Sequence, residues 1–429
     1  MSFIKILLNN KTVKNAGWMI AEQFVQMAIS VILGVLTARY LGPSNYGIIN
    51  YCSAFVIFFT TISALGLEGI VVKELVNHRE YEGEIIGTCL AMRLSASVLS
   101  IISICLILYI LNPGDILIMK VGFIQSLVML FRAFELIDFW FQSYLQSKYV
   151  AIIKSISYVL VAVYKIYILA TNKSVEWFAF STTLDFIIIA VLVSIAYLKK
   201  GGQKLKVSIQ RAKRLISQSY HFILSGLIIT VYNQMDKVMI GQFLGEEQVG
   251  LYSAALTICN YWVLIPVAII NSSRPTIMER KKEGNEKAYL RNIHRLYFVL
   301  IWSGIAVSFL VSILSKFILG VLYGQDYSSA ASVLSIAIWF TTFSVLGTAR
   351  GIWIVCENLN EYVKKIVLWG AIINFILNSI LIPAIGINGA AIATLITQMF
   401  NCLFAPMLYK KTRIHTKYIA QAFIGRYIK

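Results

Sequence analysis

The sequence predicts an all-α polytopic membrane protein with about twelve transmembrane helices. The chain has 429 residues, of which 58% are hydrophobic and only 14% are charged. A soluble protein of this length carries roughly a quarter of charged residues and mixes helical with strand patterns. Here apolar runs of about 20 residues recur from residue 16 to residue 409, each long enough to cross a hydrocarbon core of about 30 Å as a helix. Most of the chain is therefore expected to lie in a bilayer.

The apolar runs define twelve predicted spans in two groups of six. The first group is expected at 16–38, 47–67, 85–110, 116–138, 149–170 and 175–198. The second group is expected at 217–243, 250–272, 296–315, 330–353, 364–383 and 389–409. Ahead of them lies a short basic lead-in, and no cleavable secretion signal is expected.

The spans imply four regions of the chain. Residues 1–198 are expected to form an N-terminal six-helix bundle, and residues 217–409 a C-terminal one. A basic cytoplasmic linker, 199–216, joins them, and a basic cytoplasmic tail, 410–429, follows. Anchorage to anionic lipid is the simplest role for the linker's charge.

The distribution of positive charge predicts the orientation in the membrane. The net charge is +18, which in a soluble protein suggests nucleic acid. With a cytoplasmic N-terminus, however, the inner segments hold 28 of the 38 Lys and Arg residues and the outer loops hold 3. Inner loops are enriched in Lys and Arg. Both termini are therefore expected in the cytoplasm, and no nucleic acid partner is expected.

The two groups of spans are related by an internal repeat. RYLGPSNYGIINYCSA (39–54) aligns with QFLGEEQVGLYSAA (242–255) at a shift of 203 residues. The residues that match are Leu41, Gly42 and Gly47 with Leu244, Gly245 and Gly250. Six is an even number of spans, so the halves run the same way, as in parallel repeats whose pseudo-two-fold axis follows the membrane normal. Transporters of this construction bind substrate between the halves near the midplane.

Three motifs carry a resemblance to a known family: ARYLGPSNYG (Ala38–Gly47), DKVMIGQFLGEEQVGLYSAA (Asp236–Ala255) and GINGAAIAT (Gly386–Thr394). They resemble signatures of bacterial polysaccharide flippases. These are the O-antigen and capsule repeat-unit translocases of the multidrug/oligosaccharidyl-lipid/polysaccharide exporter superfamily. The resemblance extends over the whole chain, because span number, repeat and motif positions are all in register.

The resemblance implies a function in polysaccharide, for example lipopolysaccharide, biosynthesis. The expected substrate is an oligosaccharide on undecaprenyl pyrophosphate, moved from the cytoplasmic to the outer leaflet of the bacterial inner membrane. Its head group cannot cross hydrocarbon unaided, since each unpaired polar group costs several kcal/mol. A cavity with cations for the phosphates is therefore expected. Expected partners are the bilayer, a polysaccharide polymerase and a chain-length regulator.

Two charges lie deep within predicted spans and are the first candidates for substrate contact. Arg93 lies about eight residues, or ~12 Å, from the inner end of its span. Asp185 is near the centre of span six. We expect Arg93 to receive a phosphate, with Asp185 positioning it or titrating; the alternative is a structural ion pair between the two.

Other charged residues in spans are weaker candidates. Lys154 and Lys165 are eleven residues apart and so lie on one helical face, where lining a cavity and local roles are equally expected. Arg132 and Glu135 are expected to form a local i, i+3 pair. Arg350, near the inner end of span ten, is expected to extend to the interface.

Span seven carries a polar stripe of Asn233, Asp236 and Lys237 at i, i+3 and i+4. Asp236 lies about seven residues, or ~10 Å, from the outer end of this span. The stripe is expected to line the outer part of the cavity, with Lys237 able to extend outward. Further along, Asn374, Asn378 and Thr394 suit either glycan contact or helix-to-helix hydrogen bonds.

Two other functional classes remain to be weighed. A multidrug or organic-cation exporter of the same superfamily would favour an acid-lined pocket, whereas cations outnumber acids within the spans. A membrane-embedded polymerase would need a large outer loop with catalytic groups, but the longest one, 316–329, holds one acid, Asp326, and no His. No catalytic residue and no metal site are therefore expected. No cofactor is expected either, beyond a coupling H⁺ or Na⁺ acting through Asp185 or Asp236.

Overall fold

The computed structural model describes residues 11–426, and every regular element in that range is helical. We number the α-helices in chain order and leave short 3₁₀ and π turns unnumbered. In the first half these are α1 (Lys11–Ser63), α2 (Glu68–Asn77), α3 (Glu82–Leu111), α4 (Ile116–Ser126), α5 (Val128–Arg132), α6 (Leu136–Ser143), α7 (Ser147–Ala170) and α8 (Val175–Lys199). They are followed by α9 (Ile209–Leu244), α10 (Glu246–Lys282), α11 (Glu286–Leu322), α12 (Ala331–Cys356), α13 (Asn360–Ile385), α14 (Ile387–Met399) and α15 (Ile414–Phe423).

The helical segments confirm a polytopic membrane protein. Across the described residues, 11 segments are long and apolar enough to cross a bilayer. The first of them, Val25–Asn77, has 53 residues, whereas one crossing needs about 20. It is interrupted at Gly42, where the backbone leaves the helical conformation. This segment therefore holds the first two predicted spans, and the eleven segments account for the twelve crossings.

The internal repeat extends to the backbone conformation of its glycines. Gly42 has φ 68° and ψ 173°, and Gly245, at the equivalent position of the second half, has φ 87° and ψ 172°. A positive φ with extended ψ is readily adopted only by glycine. Each glycine lets one long helix end and the next begin without an intervening loop.

The chain divides into two compact units. The first comprises the described residues up to Leu41 together with Ile48–Thr230. The second comprises Gly42–Gly47 and the chain from Val231 onwards. The division falls within α9, so the segment predicted as a linker, 199–216, belongs to the first unit.

The core of the first unit is built around Trp140. Its indole packs edge-on against Phe141 and Tyr197, and Nε1 donates to the buried carboxylate of Glu82 at 2.8 Å. Tyr144 donates its hydroxyl to the same carboxylate oxygen at 3.0 Å. These bonds compensate the burial of Glu82, which begins α3.

The predicted linker is bound to α3 rather than free. The Lys206 amide donates to the Gly83 carbonyl at 3.1 Å. A Cβ on Gly83 would lie 2.4 Å from the Lys204 carbonyl oxygen, and one on Gly87 would lie 2.4 Å from that of Lys206. The two glycines, one helical turn apart, thus form a groove for the extended segment 203–206, which we call the strap.

Part of the positive charge that follows the strap is neutralised within the first unit. Arg211 donates to Glu84 at 3.0 Å, and Arg214 lies 3.4 Å from Glu74. Arg211 and Arg214 therefore form ion pairs with acidic residues of α2 and α3, so anionic lipid is not their only partner.

In the second unit, the predicted basic loop 273–295 is mostly helix. α10 continues to Lys282, and α11 begins at Glu286 after a three-residue turn. The side chain of Asn285 caps α11 by accepting from the Ala288 amide at 3.1 Å. Arg280 pairs with Glu283 at 2.8 Å, so charged residues support these helix ends.

The segment predicted as a basic tail also contains a docked helix. His415, at the start of α15, hydrogen-bonds to the Tyr297 hydroxyl at 2.9 Å, and Trp302 donates to the Phe423 carbonyl at 3.3 Å. Burial, together with the charge of Arg350, holds the pKa of His415 well below its usual value. α15 is therefore part of the packed second unit.

Candidate functional site

Arg93 lies on α3 inside the first unit and is 5% exposed. Across the residues that the structure describes, no carboxylate lies within ion-pair distance of its guanidinium. The nearest charges that act on it belong to Glu135, Arg132 and Glu68. A buried arginine without a paired carboxylate carries a large desolvation cost. Its charge is available for an anion.

Asp185 lies on α8 and is bound to a different partner from Arg93. Its carboxylate accepts a hydrogen bond from the Ser157 hydroxyl of α7 at 2.5 Å. The charges that act on it belong to Lys165 and Lys154. Within the described range, the alternative of a structural Arg93–Asp185 ion pair is therefore not found.

Lys154 and Lys165 have different environments although they share a face of α7. Lys154 pairs with Asp138 of α6 at 2.8 Å. Lys165 is half-buried and near Asp185. Lys154 therefore has a structural role beside any contact with substrate.

The local pair predicted for Arg132 is confirmed, while the prediction for Arg350 is wrong. Arg132 Nε lies 3.3 Å from a Glu135 carboxylate oxygen. Arg350 is 6% exposed and donates to the Asn401 carbonyl at 2.7 Å. It stays buried because a π turn at Phe400–Phe404 opens the helical ladder and leaves that carbonyl as an acceptor.

Asp236 is the most completely bound carboxylate of the second unit. It is 7% exposed and accepts three hydrogen bonds: from the Tyr252 hydroxyl at 2.7 Å, the Asn378 amide at 2.6 Å and the Thr394 hydroxyl at 2.8 Å. The donors come from α10, α13 and α14. Four helices of this unit therefore meet at one carboxylate.

The other members of the predicted stripe lie at different depths. Asn233 is exposed and Lys237 is half-buried, whereas Asp236 is buried. Thus the stripe of span seven faces partly into the unit and partly out of it. Asn233 and Lys237 are the residues of the stripe that a substrate can approach.

Of the three partners of Asp236, Asn378 and Thr394 were noted in the sequence as polar residues for glycan contact or helix-to-helix hydrogen bonds, whereas Tyr252 was not linked to the site. Tyr252 lies within the second resemblance motif, and Thr394 is the last residue of the third. Since Asp236 begins the second motif, two of the three motifs meet at its carboxylate. All three residues belong to the resemblance motifs, and this was the signal that could have linked Tyr252 and Thr394 to Asp236.

Comparison with known proteins places the chain in a family. The family model described as polysaccharide biosynthesis protein matches residues 12–280, and a second one, described as MatE, matches 222–380. An uncharacterized membrane protein of Methanocaldococcus jannaschii is 24% identical over 97% of this chain and 88% of its own length. A putative O-antigen transporter of Shigella flexneri is 23% identical over 93% of this chain and 98% of its own. A probable low-salt glycan biosynthesis flippase of Haloferax volcanii, Agl15, is 24% identical over 46% of this chain and 42% of its own.

Solved structures share the fold. The lipid II flippase MurJ, in an inward closed conformation, matches with a TM-score of 0.72 and 16% identity, over 94% of this chain and 89% of that one. An inward-facing multidrug resistance MATE family transporter matches with a TM-score of 0.68 and 12% identity, over 92% and 96%. The first family model covers more than half of the sequence, so the chain belongs to the polysaccharide biosynthesis protein family, within the multidrug/oligosaccharidyl-lipid/polysaccharide exporter superfamily.

Proposed function

We propose that this protein is a flippase that moves oligosaccharide repeat units on undecaprenyl pyrophosphate from the cytoplasmic to the outer leaflet. The observation that carries the proposal is the family match over residues 12–280 in a polytopic helical fold. The names of relatives from two organisms, which refer to flippases or O-antigen transport, support it. The proposed location is the bacterial inner membrane with both termini in the cytoplasm. The proposed partners are a polymerase and a chain-length regulator that act on the product.

The mechanism we propose is alternating access with cations that receive the phosphates. Arg93 is suited to this because it stays charged, is buried and has no paired carboxylate within the described residues. Lys165 beside Asp185, and Lys237 beside Asp236, are proposed as further contacts to the head group. The glycan then travels through a hydrated path while the lipid tail stays in the bilayer.

We further propose Asp236 as the group through which a coupling ion acts. Protonation would remove the charge and turn one of its acceptor oxygens into a donor as well, which weakens the three hydrogen bonds that it accepts. Na⁺ would find the carboxylate, the Thr394 and Tyr252 hydroxyls, and Asn378 Oδ1, which has no hydrogen-bond partner among the described residues. Hard cations prefer oxygen ligands of this kind. Either ion would therefore change how α9, α10, α13 and α14 are held together.

A leaflet assay tests the proposed function. A strain that lacks the gene should accumulate lipid-linked glycan on the cytoplasmic side, and the wild-type chain should restore glycan at the surface. Arg93→Ala should insert normally but lower surface glycan by at least about tenfold, because a charged hydrogen-bonding group is lost. Lys213→Gln, an exposed cation on α9, is the matched control and should behave like the wild type. Full glycan display in the Arg93→Ala strain would remove Arg93 from the mechanism. Unchanged leaflet distribution on adding the wild-type chain would reject the flippase itself.

A multidrug exporter is the second candidate, because the MatE model matches residues 222–380. It predicts that expression of the chain raises resistance to organic cations and leaves lipid-linked glycan where it is. The same strains therefore separate the two functions. A membrane polymerase is disfavoured by the relatives, whose names refer to transport and flipping.

A further inference from the structure

A cleft lies within the first unit, at the junction of α1, α2, α5 and α9. Its volume is about 840 Å³. One part of its wall is polar or charged: Thr60, Thr61, Glu68, Lys73, Arg132 and Gln218. Another part is apolar: Ile57, Ala64, Ile70, Phe222 and Ile223. The lining of the cleft therefore combines cations with hydrocarbon side chains.

Arg132 provides the phosphate-binding capacity of this cleft. Its ion pair with Glu135 uses Nε, at 3.3 Å, and its guanidinium lies 5.0 Å from the centre of the Phe186 ring. Within the described residues, its two terminal nitrogens hold no hydrogen bond, so they are available to bind two phosphate oxygens together. The ring and Glu135 hold the guanidinium in place for this contact.

Two further cations, Lys73 and Arg93, raise the positive potential in the cleft. Lys73 is exposed on α2 and forms no ion pair with the described acids. Arg93 is buried, and the charges of Glu68 and Arg132, both of which line the cleft, act on it. Lys73 and Arg132 therefore line the cleft, and Arg93 lies near it. The lining includes one acid, Glu68, and Arg132 is paired with a second acid, Glu135. An anion entering the cleft would compensate this excess.

The lining suits the junction of a lipid and a pyrophosphate better than a sugar chain. Sugars are bound by dense hydrogen-bonding groups and flat aromatic faces, whereas the only aromatic side chain among the described lining residues is Phe222. A Cβ on Gly69 would meet no atom within 4 Å, so the cleft is open at this residue, whereas one on Gly66 would lie 2.9 Å from the Cβ of Phe222, so Gly66 lets α9 pack closely. The apolar lining residues offer hydrocarbon contact in the same cleft as the cations.

We propose that this cleft binds the pyrophosphate and the first isoprenyl units of the substrate, with Arg132 and Lys73 as phosphate ligands, while the sugars lie outside it. This rests on the proposed flippase function and adds to it that recognition in the first unit is independent of the glycan. In this proposal Arg132 both pairs with Glu135 and binds the phosphates of the substrate.

Binding of a sugar-free probe tests this assignment. Purified full-length protein in nanodiscs is titrated with undecaprenyl pyrophosphate, and with undecaprenol as the probe that lacks phosphate. The wild type should bind the pyrophosphate at least about tenfold more tightly than the alcohol. Arg132→Gln should lower the pyrophosphate affinity by about tenfold or more and leave the weak binding of undecaprenol unchanged. Lys73→Gln, on the exposed face of α2, should lower it several-fold without risk to folding, and Lys213→Gln should leave it unchanged.

The outcomes separate this proposal from the proposed function. If Arg132→Gln and Lys73→Gln bind the pyrophosphate as tightly as the wild type, the cleft is not the phosphate site, although leaflet transfer can still occur. If both lose affinity for undecaprenyl pyrophosphate and undecaprenol alike, the loss is not a phosphate contact and the assignment is wrong. If the wild type binds neither probe yet transfers glycan in cells, the cleft assignment fails alone. If it also transfers no glycan, both fail.

Discussion

At the scale of single residues, the carboxylate of Asp236 best connects the sequence motifs with a mechanism. It is buried, and its three donors come from helices separated from it by up to 158 residues of sequence. Charge-assisted hydrogen bonds of this kind contribute about 1.5–3 kcal/mol each. Asp236 therefore stabilises the second unit, and any ion that competes for its oxygens acts on four helices at once.

Substitutions at Asp236 and Tyr252 separate stability from coupling. Tyr252→Phe removes one donor and keeps the carboxylate, so we expect it to lower the free energy of unfolding by about 1.5–3 kcal/mol, to leave a response to an H⁺ gradient intact and to weaken a response to Na⁺, for which the hydroxyl is a proposed ligand. Asp236→Asn removes the charge, so flipping should no longer respond to an imposed H⁺ or Na⁺ gradient. Thermal unfolding measures the first effect, and leaflet transfer in proteoliposomes with and without each gradient measures the second. A gradient response that survives in Asp236→Asn would exclude this residue from coupling.

At the residue level, the sequence pointed to the charges themselves but to only some of their hydrogen-bond partners. A charge in an apolar run is visible because it is costly there, which is how Arg93, Asp185 and Asp236 were selected. Tyr252 gave no such signal, since a tyrosine fits an apolar helix as well as a hydrogen bond. Arg350 was assigned to the interface by its distance from a span end, and the carbonyl that binds it depends on a π turn that span counting does not detect.

At the scale of elements, the helices extend beyond the predicted spans. α9, α10 and α11 contain 36, 37 and 37 residues, whereas the corresponding spans had been drawn from hydropathy alone. Hydropathy measures the part of a helix that lies in hydrocarbon, and charged helix ends stabilised by ion pairs and caps fall outside it. Hydropathy also missed the packing of the strap and α15, because specific hydrogen bonds and close contacts hold them in place, and these do not appear as apolar runs in the sequence.

The glycine groove on α3 predicts how firmly the strap is held. Gly87→Val would place a branched side chain against the Lys206 carbonyl, which leaves no room for the strap and should release its backbone from α3. We expect trypsin to cleave the variant within 199–206 at least about fivefold faster than the wild type, since cleavage follows the population of the open form. Limited proteolysis followed by mass spectrometry measures this. Gly320→Ala is the control, because a Cβ there meets no atom within 4 Å. Equal cleavage of Gly87→Val and the wild type would mean that the groove does not hold the strap.

At the scale of the whole molecule, the fold class could be predicted from the sequence, because bilayer thickness sets the length of a span and hydropathy locates each span. The repeat was also visible, and the matching conformations of Gly42 and Gly245 give it a structural basis. The sequence predicts two bundles joined at 199–216, whereas the two compact units divide inside the continuous helix α9, between Thr230 and Val231.

The orientation in the membrane is the last prediction, and the direction of transport depends on it. Lys and Arg are concentrated in segments on one side, 28 against 3, so the turn after α10 should be cytoplasmic and the turn after α7 external. In a variant whose six native cysteines are replaced, a membrane-impermeant maleimide should label Thr171→Cys in intact cells. It should label Glu283→Cys only after the membrane is opened. Both positions are exposed, so accessibility of the side chain itself does not limit labelling. The opposite pattern would put the Arg132 cleft and the basic helix ends on the outer side, and a cytoplasmic pyrophosphate could not reach them.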